Sequence, residues 1–298
     1  MVLEVIYVVR HGYRSNWHVD PSTGHYNSNV PSPTGIVADP ALASYGVKQA
    51  EELGKHLETV DPTVDLIYSS PFYRCIHTLK PFVSAKAERE GKDTIKVYVE
   101  PGVGEFYGLA RFDHPSPAPI EELNRHFDHL QAVKPPSIVP STKGESIPQL
   151  HDRVAYALQH IIARADADPA GPKTLLICTH AAAMIAIGRT LTGRMPEDEG
   201  EEDFKCFTCS FSKFVRRQQP ITDGTNGAKA NGTQLNSDWT PESPDQVPDI
   251  GWRNGNGVSG GWHCEINGDC SFLAGGEERG WNFDIEKAQA GKVTGSEF

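Results

Sequence analysis

Arg10, His11, Gly12, Tyr13 and Arg14 stand together at the end of an apolar run. Each guanidinium offers a planar fork that fits phosphate oxygens, and the imidazole between them offers a nucleophilic nitrogen. Gly12 lets the backbone turn tightly and approach a ligand. The alternative is a chance tripeptide in which His11 is a satisfied histidine at a strand end. The tripeptide alone does not separate the two.

Three other places carry compatible chemistry. Ser69, Ser70 and Pro71 open a helical stretch with Arg74 one turn in, and helix N-termini favour anions through unpaired N–H groups. Thr179 and His180 stand where another apolar run meets a helix. Glu105 lies in a loop after a third apolar run, where a protonated carboxyl could act as a general acid. Taken singly, Arg74 reads as a surface arginine, His180 as a core histidine and Glu105 as a surface glutamate. Taken together, Arg10, His11, Arg14, Arg74 and His180 make a cationic pocket suited to a phosphoryl dianion, with Glu105 as the proton donor for a leaving alkoxide.

These residues converge only if particular elements position them. Apolar, β-branched runs predict strands at 2–9, 64–68, 94–100 and 173–178. Helical periodicity predicts helices at 44–59 (Ser44 as N-cap), from about 71 to 90, at 120–130, at 147–165 and at 182–191. Strands alternating with helices imply an α/β fold: a three-layer α/β/α sandwich with a mostly parallel central sheet. Ligands of such sheets bind at the carboxyl ends of the strands. The loop at 12–40 is long and polar and is a candidate for substrate selection. Residues 204–217 read as a strand whose basic end, 213–217, is an exposed edge. The expected organisation is one catalytic domain at 1–217, a flexible Gly/Asn/Pro-rich excursion at 218–261, and an aromatic tail at 262–298 that packs back on the same domain.

Composition excludes several classes. With 38% hydrophobic and 22% charged residues the chain can form a packed core. A net charge of −11 argues against direct nucleic-acid binding, which needs clustered Lys and Arg, but leaves room for a local anion pocket. No run approaches the ~18 apolar residues of a membrane span. Glu4 interrupts the first apolar run and no basic segment precedes it, so the expectation is an intracellular protein, cytoplasmic or nuclear, with its six cysteines reduced. Cys206 and Cys209 have zinc-knuckle spacing. Strand-like alternation would send them to opposite faces, so no metal site is expected.

The Arg-His-Gly turn, the Ser-Ser-Pro-x-x-Arg-x-x-x-Thr segment, Glu105 after a strand and the late Thr-His occur in an order that resembles the histidine phosphatase superfamily, in its phosphoglycerate-mutase-like branch. The resemblance covers residues 3–215. It implies a phosphoglycerate-mutase-like fold and a metal-independent phosphomonoester phosphatase without a cofactor. His11 would attack phosphorus and become phosphohistidine. Arg10, Arg14, Arg74 and His180 would hold the phosphoryl oxygens, and Glu105 would protonate the leaving group. Arg14, two residues after Gly12, is similar to the phosphatases of this branch that suppress T-cell-receptor signalling. The whole resembles more closely a fungal histidine-phosphatase subunit of the transcription factor TFIIIC and related fungal proteins. The implied partners are a small phosphorylated substrate or a phosphotyrosine protein, an assembly partner and a second copy in a homodimer. The alternatives are a phosphoglycerate mutase and a docking subunit of a TFIIIC-like assembly. Two departures stand out: Ala181 follows His180 where the family often has Gly, and the loop at 13–43 lacks a match to the mutases' substrate segment.

Overall fold

Every residue of β1 (Val5–Arg10) is buried. Its side chains alternate between two cores, as the period of a strand requires. Ile6 and Val8 pack with Leu150, Val154 and Ile185 on one side. Val5, Tyr7 and Val9 pack with Leu53, Leu79 and Phe82 on the other. A strand covered on both faces reads as a continuous apolar run, as residues 5–9 do.

The computed structural model describes residues 2–91, 94–218 and 238–284. After β1 come a hairpin of β2 (Trp17–Asp20) and β3 (His25–Ser28), then α1 (Ser44–Leu57), β4 (Leu66–Ser69), α2 (Tyr73–Glu90), β5 (Val97–Val99), α3 (Ile120–Leu123) and β6 (Leu130–Ala132). The chain continues through α4 (Ile147–Ala167), β7 (Thr174–Thr179), α5 (Ala181–Thr192), β8 (Phe211–Arg216) and β9 (Trp262–Asp269). Seven strands form one sheet in the order β6-β5-β4-β7-β1-β8-β9. β7 lies parallel between β4 and β1, with Arg10 opposite Thr179 and Ser69 opposite Cys178. Helices α1 and α2 supply one outer layer, and α4 and α5 the other. The result is a three-layer α/β/α sandwich in which the carboxyl ends of three adjacent strands open onto one place.

α4 starts where its sequence says it should. Ser146 accepts from the N–H of Gln149 and the Gln149 side chain accepts from the N–H of Ser146, a capping box contributing about 0.5–2 kcal/mol.

Elsewhere the structure departs from the sequence reading. The N-cap of α1 is Ala43, not Ser44, and no side chain caps it. Gly46 sits so close to Tyr13 that an added Cβ would lie 1.9 Å from the Tyr13 carbonyl oxygen. The helix start is therefore set by its seat under the loop after β1. The helix expected over 120–130 stops at Leu123, and after the turn that follows, His129, at a φ of 69°, leads the chain into β6 at Leu130. Phe127 and Leu130 are buried either way, so periodicity could not choose. Only Phe211–Arg216 of 204–217 is a strand; Cys209, at φ 56°, breaks the run. β8 is not an edge, since β9 covers it. Its basic end is satisfied internally, with Lys213 paired to Glu265 at 3.0 Å and Arg216 to Asp166 at 2.9 Å. Within the stretch expected to be a flexible excursion, residues 219–237 lie outside the described residues. Residues 238–261 lie against the body, with Trp252 and Val258 buried and the Trp252 indole donating to Asp152 at 3.0 Å. In the tail Trp262 and Phe283 are fully buried. No described helix is long and apolar enough to cross a membrane.

Candidate active site

His11 leaves the end of β1 with its own N–H bound to the carbonyl of Thr179 at 3.0 Å. The ring Nδ1 lies 2.8 Å from the Gly12 carbonyl, which can only accept, so Nδ1 carries the hydrogen and the lone pair is on Nε2. Burial pushes the His11 pKa well below 6.5, and Arg74, His180, Arg10 and Arg14 push it the same way. The ring is therefore neutral and nucleophilic. Its turn is fixed by the Gly12 N–H, which donates to Thr78 Oγ1 at 3.0 Å, while Thr78 donates to the Arg74 carbonyl at 2.8 Å. A Cβ on Gly12 would approach the Gly46 carbonyl oxygen to 2.8 Å, so the turn needs glycine for lack of space.

Arg74, in the first turn of α2, and His180, between β7 and α5, meet at Glu105. Arg74 Nη2 donates to Glu105 Oε2 at 2.6 Å, and His180 Nδ1 lies 3.1 Å from the same oxygen. Burial alone would raise the Glu105 pKa, but His180, Arg74 and His11 outweigh it and hold the carboxyl well below 4.5. Burial alone would lower His180, but Cys75 and Glu105 outweigh it and raise the ring above 6.5. Ser70 Oγ, 2.7 Å from His180 Nε2, orients the ring from behind. The rings of His11 and His180 stand edge to face with centroids 5.3 Å apart.

Arg10 is anchored by two carbonyls, donating from Nη1 to Cys206 at 2.6 Å and to Arg279 at 2.5 Å. The aromatic tail thus reaches the pocket itself. Arg14 donates to the Ser15 carbonyl at 3.0 Å and lies 5.6 Å over the Trp17 ring. Burial, followed by repulsion from Arg74, lowers its pKa to about 10. Arg10 Nε and Arg74 Nε are buried donors without a partner among the described residues. Unsatisfied buried donors are rare in proteins, and a tetrahedral oxyanion suits this set. His11, Glu105 and His180 could each offer an atom to a metal ion, all within 4.8 Å of one another. The field of three guanidinium groups favours an anion over a dication there.

All six residues expected from sequence therefore lie around one site. A profile of the histidine phosphatase superfamily (branch 1) matches residues 6–222. This chain belongs to the histidine phosphatase superfamily. Its similarity to the transcription factor tau 55 kDa subunit of Saccharomyces cerevisiae is 32% identity over 315 residues, covering 99% of this chain and 64% of the yeast protein. The ecdysteroid-phosphate phosphatase of Drosophila melanogaster is 28% identical over 218 residues, covering 66% of this chain and 28% of that protein. The chain thus spans less than two thirds of the length of either relative. The crystal structure of the ecdysone phosphate phosphatase from Bombix mori, in complex with tungstate, shares the fold at a TM-score of 0.54 and 20% identity, covering 76% of this chain and 98% of that one.

Several site residues of this superfamily member escaped the sequence reading. Asp39 is fully buried in the loop before α1 and accepts from Arg74 Nη1 at 3.2 Å and from the Tyr73 N–H at 2.9 Å. The start of α2, expected to receive a ligand anion, thus already faces a carboxylate of the chain. Nothing periodic marks Asp39, because it acts from irregular backbone. Gln49, within the helix predicted over 44–59, accepts from the Tyr13 N–H at 2.9 Å. The hairpin of β2 and β3 brings Trp17 to 6.3 Å from Tyr107, itself 6.4 Å from Phe72 between ring centroids. All six cysteines are free thiols; Cys206 and Cys209 lie outside any strand.

Proposed function

We propose that the protein is a metal-independent phosphomonoester phosphatase acting through a phosphohistidine. The observation that carries this reading is the neutral His11 ring, hydrogen-bonded at Nδ1 to Gly12, beside Arg10, Arg14, Arg74 and His180 and facing Glu105. His11 Nε2 attacks phosphorus in line as the ester P–O bond breaks. Guanidinium and imidazolium groups stabilise the charge on the equatorial oxygens. Glu105 gives its proton to the leaving alkoxide, then takes one from the water that cleaves the P–N bond, releasing phosphate and neutral His11.

In the free site Glu105 is ionised because it occupies the reach of Arg74 and His180. A bound phosphoryl dianion competes for those two cations. The lost attraction raises the carboxyl pKa, which favours the protonated form that donation needs. Trp17, Phe72 and Tyr107 lie beside the pocket and support a substrate whose alcohol carries a flat ring, phosphotyrosine included. A small phosphorylated metabolite is the other substrate class.

The test is hydrolysis of para-nitrophenyl phosphate in the presence of EDTA. Wild type should turn over, and His11→Ala should be folded and inactive. Substantial turnover by His11→Ala would sink the mechanism.

The similarity to a yeast transcription factor subunit, over 99% of this chain, favours a second role as a docking subunit in such an assembly. That role would place the protein in the nucleus. Affinity purification of the tagged full chain should then recover transcription-factor subunits equally with wild type and His11→Ala. Recovery of neither removes the second role and leaves the first untouched.

A further inference from the structure

Arg153 lies on α4, in the layer opposite α2, and is buried at 1% exposure. Its guanidinium is fully committed. Nε donates to Glu145 at 3.1 and 2.9 Å, and Nη2 donates to Glu145 Oε1 at 2.5 Å. The remaining donors reach backbone carbonyls: Nη1 to Gly102 at 2.9 Å and Gly104 at 3.4 Å, and Nη2 to Glu105 at 3.3 Å. Three carbonyls within four residues of one loop thus converge on a single side chain. The loop is the one that carries Glu105.

The partner carboxylate grips the same loop from its own backbone. The Glu145 N–H donates to the Tyr107 carbonyl at 2.9 Å, and Gly108 and Glu145 form an isolated parallel bridge. Gly144, at φ 78°, comes so close that a Cβ would lie 2.2 Å from the Gly108 carbonyl oxygen. Residues 102–108 are therefore held from below by Arg153 and from the side by residues 144–145. The Glu105 carboxyl meanwhile faces Arg74 and His180. Only arginine presents five donors in a rigid fork; a lysine could serve one or two of these acceptors.

We infer that the Arg153–Glu145 pair is the positioning device for the proton donor: it fixes the backbone of Glu105 so that the carboxyl reaches the leaving oxygen. Arg153 touches no reacting atom and acts through Glu105. This rests on the reading of Glu105 as general acid in a phosphatase.

The consequence is selective. A phosphate ester with a good leaving group departs with little help from an acid, whereas phenyl and alkyl phosphates need the proton. Loosening Glu105 should therefore steepen the dependence of kcat/KM on leaving-group basicity. A misplacement of about 1 Å costs roughly a hundredfold in rate where positioning matters. The expected loss in Arg153→Met is of that order for phenyl phosphate and a few-fold for para-nitrophenyl phosphate.

The experiment measures kcat/KM for wild type, Arg153→Met, Arg153→Lys, Glu105→Gln and Arg153→Met/Glu105→Gln over a series from nitrophenyl to phenyl to alkyl phosphates, with folding checked by circular dichroism. The inference expects a steeper series in both Arg153 variants. It also expects no further loss when Arg153→Met is added to Glu105→Gln, because residues acting as a unit are not additive. A uniform loss across the series, additive with Glu105→Gln, overturns it and assigns Arg153 to structure alone. So does failure of both Arg153 variants to fold. A wild type that hydrolyses none of the series overturns the phosphatase reading first and the inference with it. A live wild type with Glu105→Gln as flat as wild type removes Glu105 as acid and likewise ends the inference.

Discussion

Replacing Arg74 with methionine removes the cation that makes a buried Asp39 tolerable, and the cost should depend on pH in a defined way. Asp39 and Arg74 are both fully buried and 3.2 Å apart. Burial still lifts the Asp39 pKa from 3.8 to about 6, with Arg74 the principal charge pulling it down. The folded carboxyl thus binds its proton more tightly than the unfolded one. Wild type loses stability from this group as pH rises from 3.8 to about 6, roughly 3 kcal/mol at about 1.4 kcal/mol per pH unit, and is flat above. Without Arg74 the folded pKa moves above 6, so the decline continues through neutrality to the new value. The gap between Arg74→Met and wild type should widen by about 1.4 kcal/mol per unit between roughly pH 6 and 8, towards the ~3–5 kcal/mol of a broken buried pair. Glu105 keeps His180 as a partner, and its pKa lies well below 4.5 in wild type. Urea denaturation at about pH 6, 7 and 8, followed by tryptophan fluorescence, reads the gap. Arg74→Met/Asp39→Asn lacks the Asp39 carboxyl but keeps the effect of the lost cation on His180 and His11, so its gap to wild type should widen less than that of Arg74→Met. A constant gap in the single variant would refute the argument.

Two further outcomes follow from the site. In the free protein His11 should show no NMR titration midpoint near 6.5. With its folded pKa depressed, this ring takes stability away as pH falls below 6.5, and a midpoint at the ordinary value would contradict the neutral nucleophile. Thr78→Val keeps the shape but leaves the Gly12 N–H buried without its acceptor, so urea denaturation should show a loss of about 1–3 kcal/mol. A loss under about half a kcal/mol would mean that the His11 turn is held by other contacts.

The candidate site residues were legible in the sequence because they lie at or just beyond strand ends. An apolar run followed abruptly by Arg10-His11, by Ser69-Ser70 or by Thr179-His180 marks a place where backbone emerges from a core, and three parallel strands bring such places together. The supporting residues were not legible for the opposite reason. Asp39 lies in irregular chain, Arg153 looks like one more charge on an amphipathic helix, and Arg279 contributes only a carbonyl, which every residue has. Residues 120–130 show the same limit for local structure: one apolar pattern fits a helix or a turn into β6, and burial of Phe127 and Leu130 is satisfied by both.

Residue type and hydrophobic period are local properties, so the candidate groups and the alternation of strands and helices can be read along the chain. How those groups are held is settled by packing. The ionised Glu105 between Arg74 and His180, the neutral His11 ring and the covering of β8 by β9 each depend on partners far apart in the chain. Desolvation and Coulomb attraction act through space, and distance in space is fixed only when the layers pack.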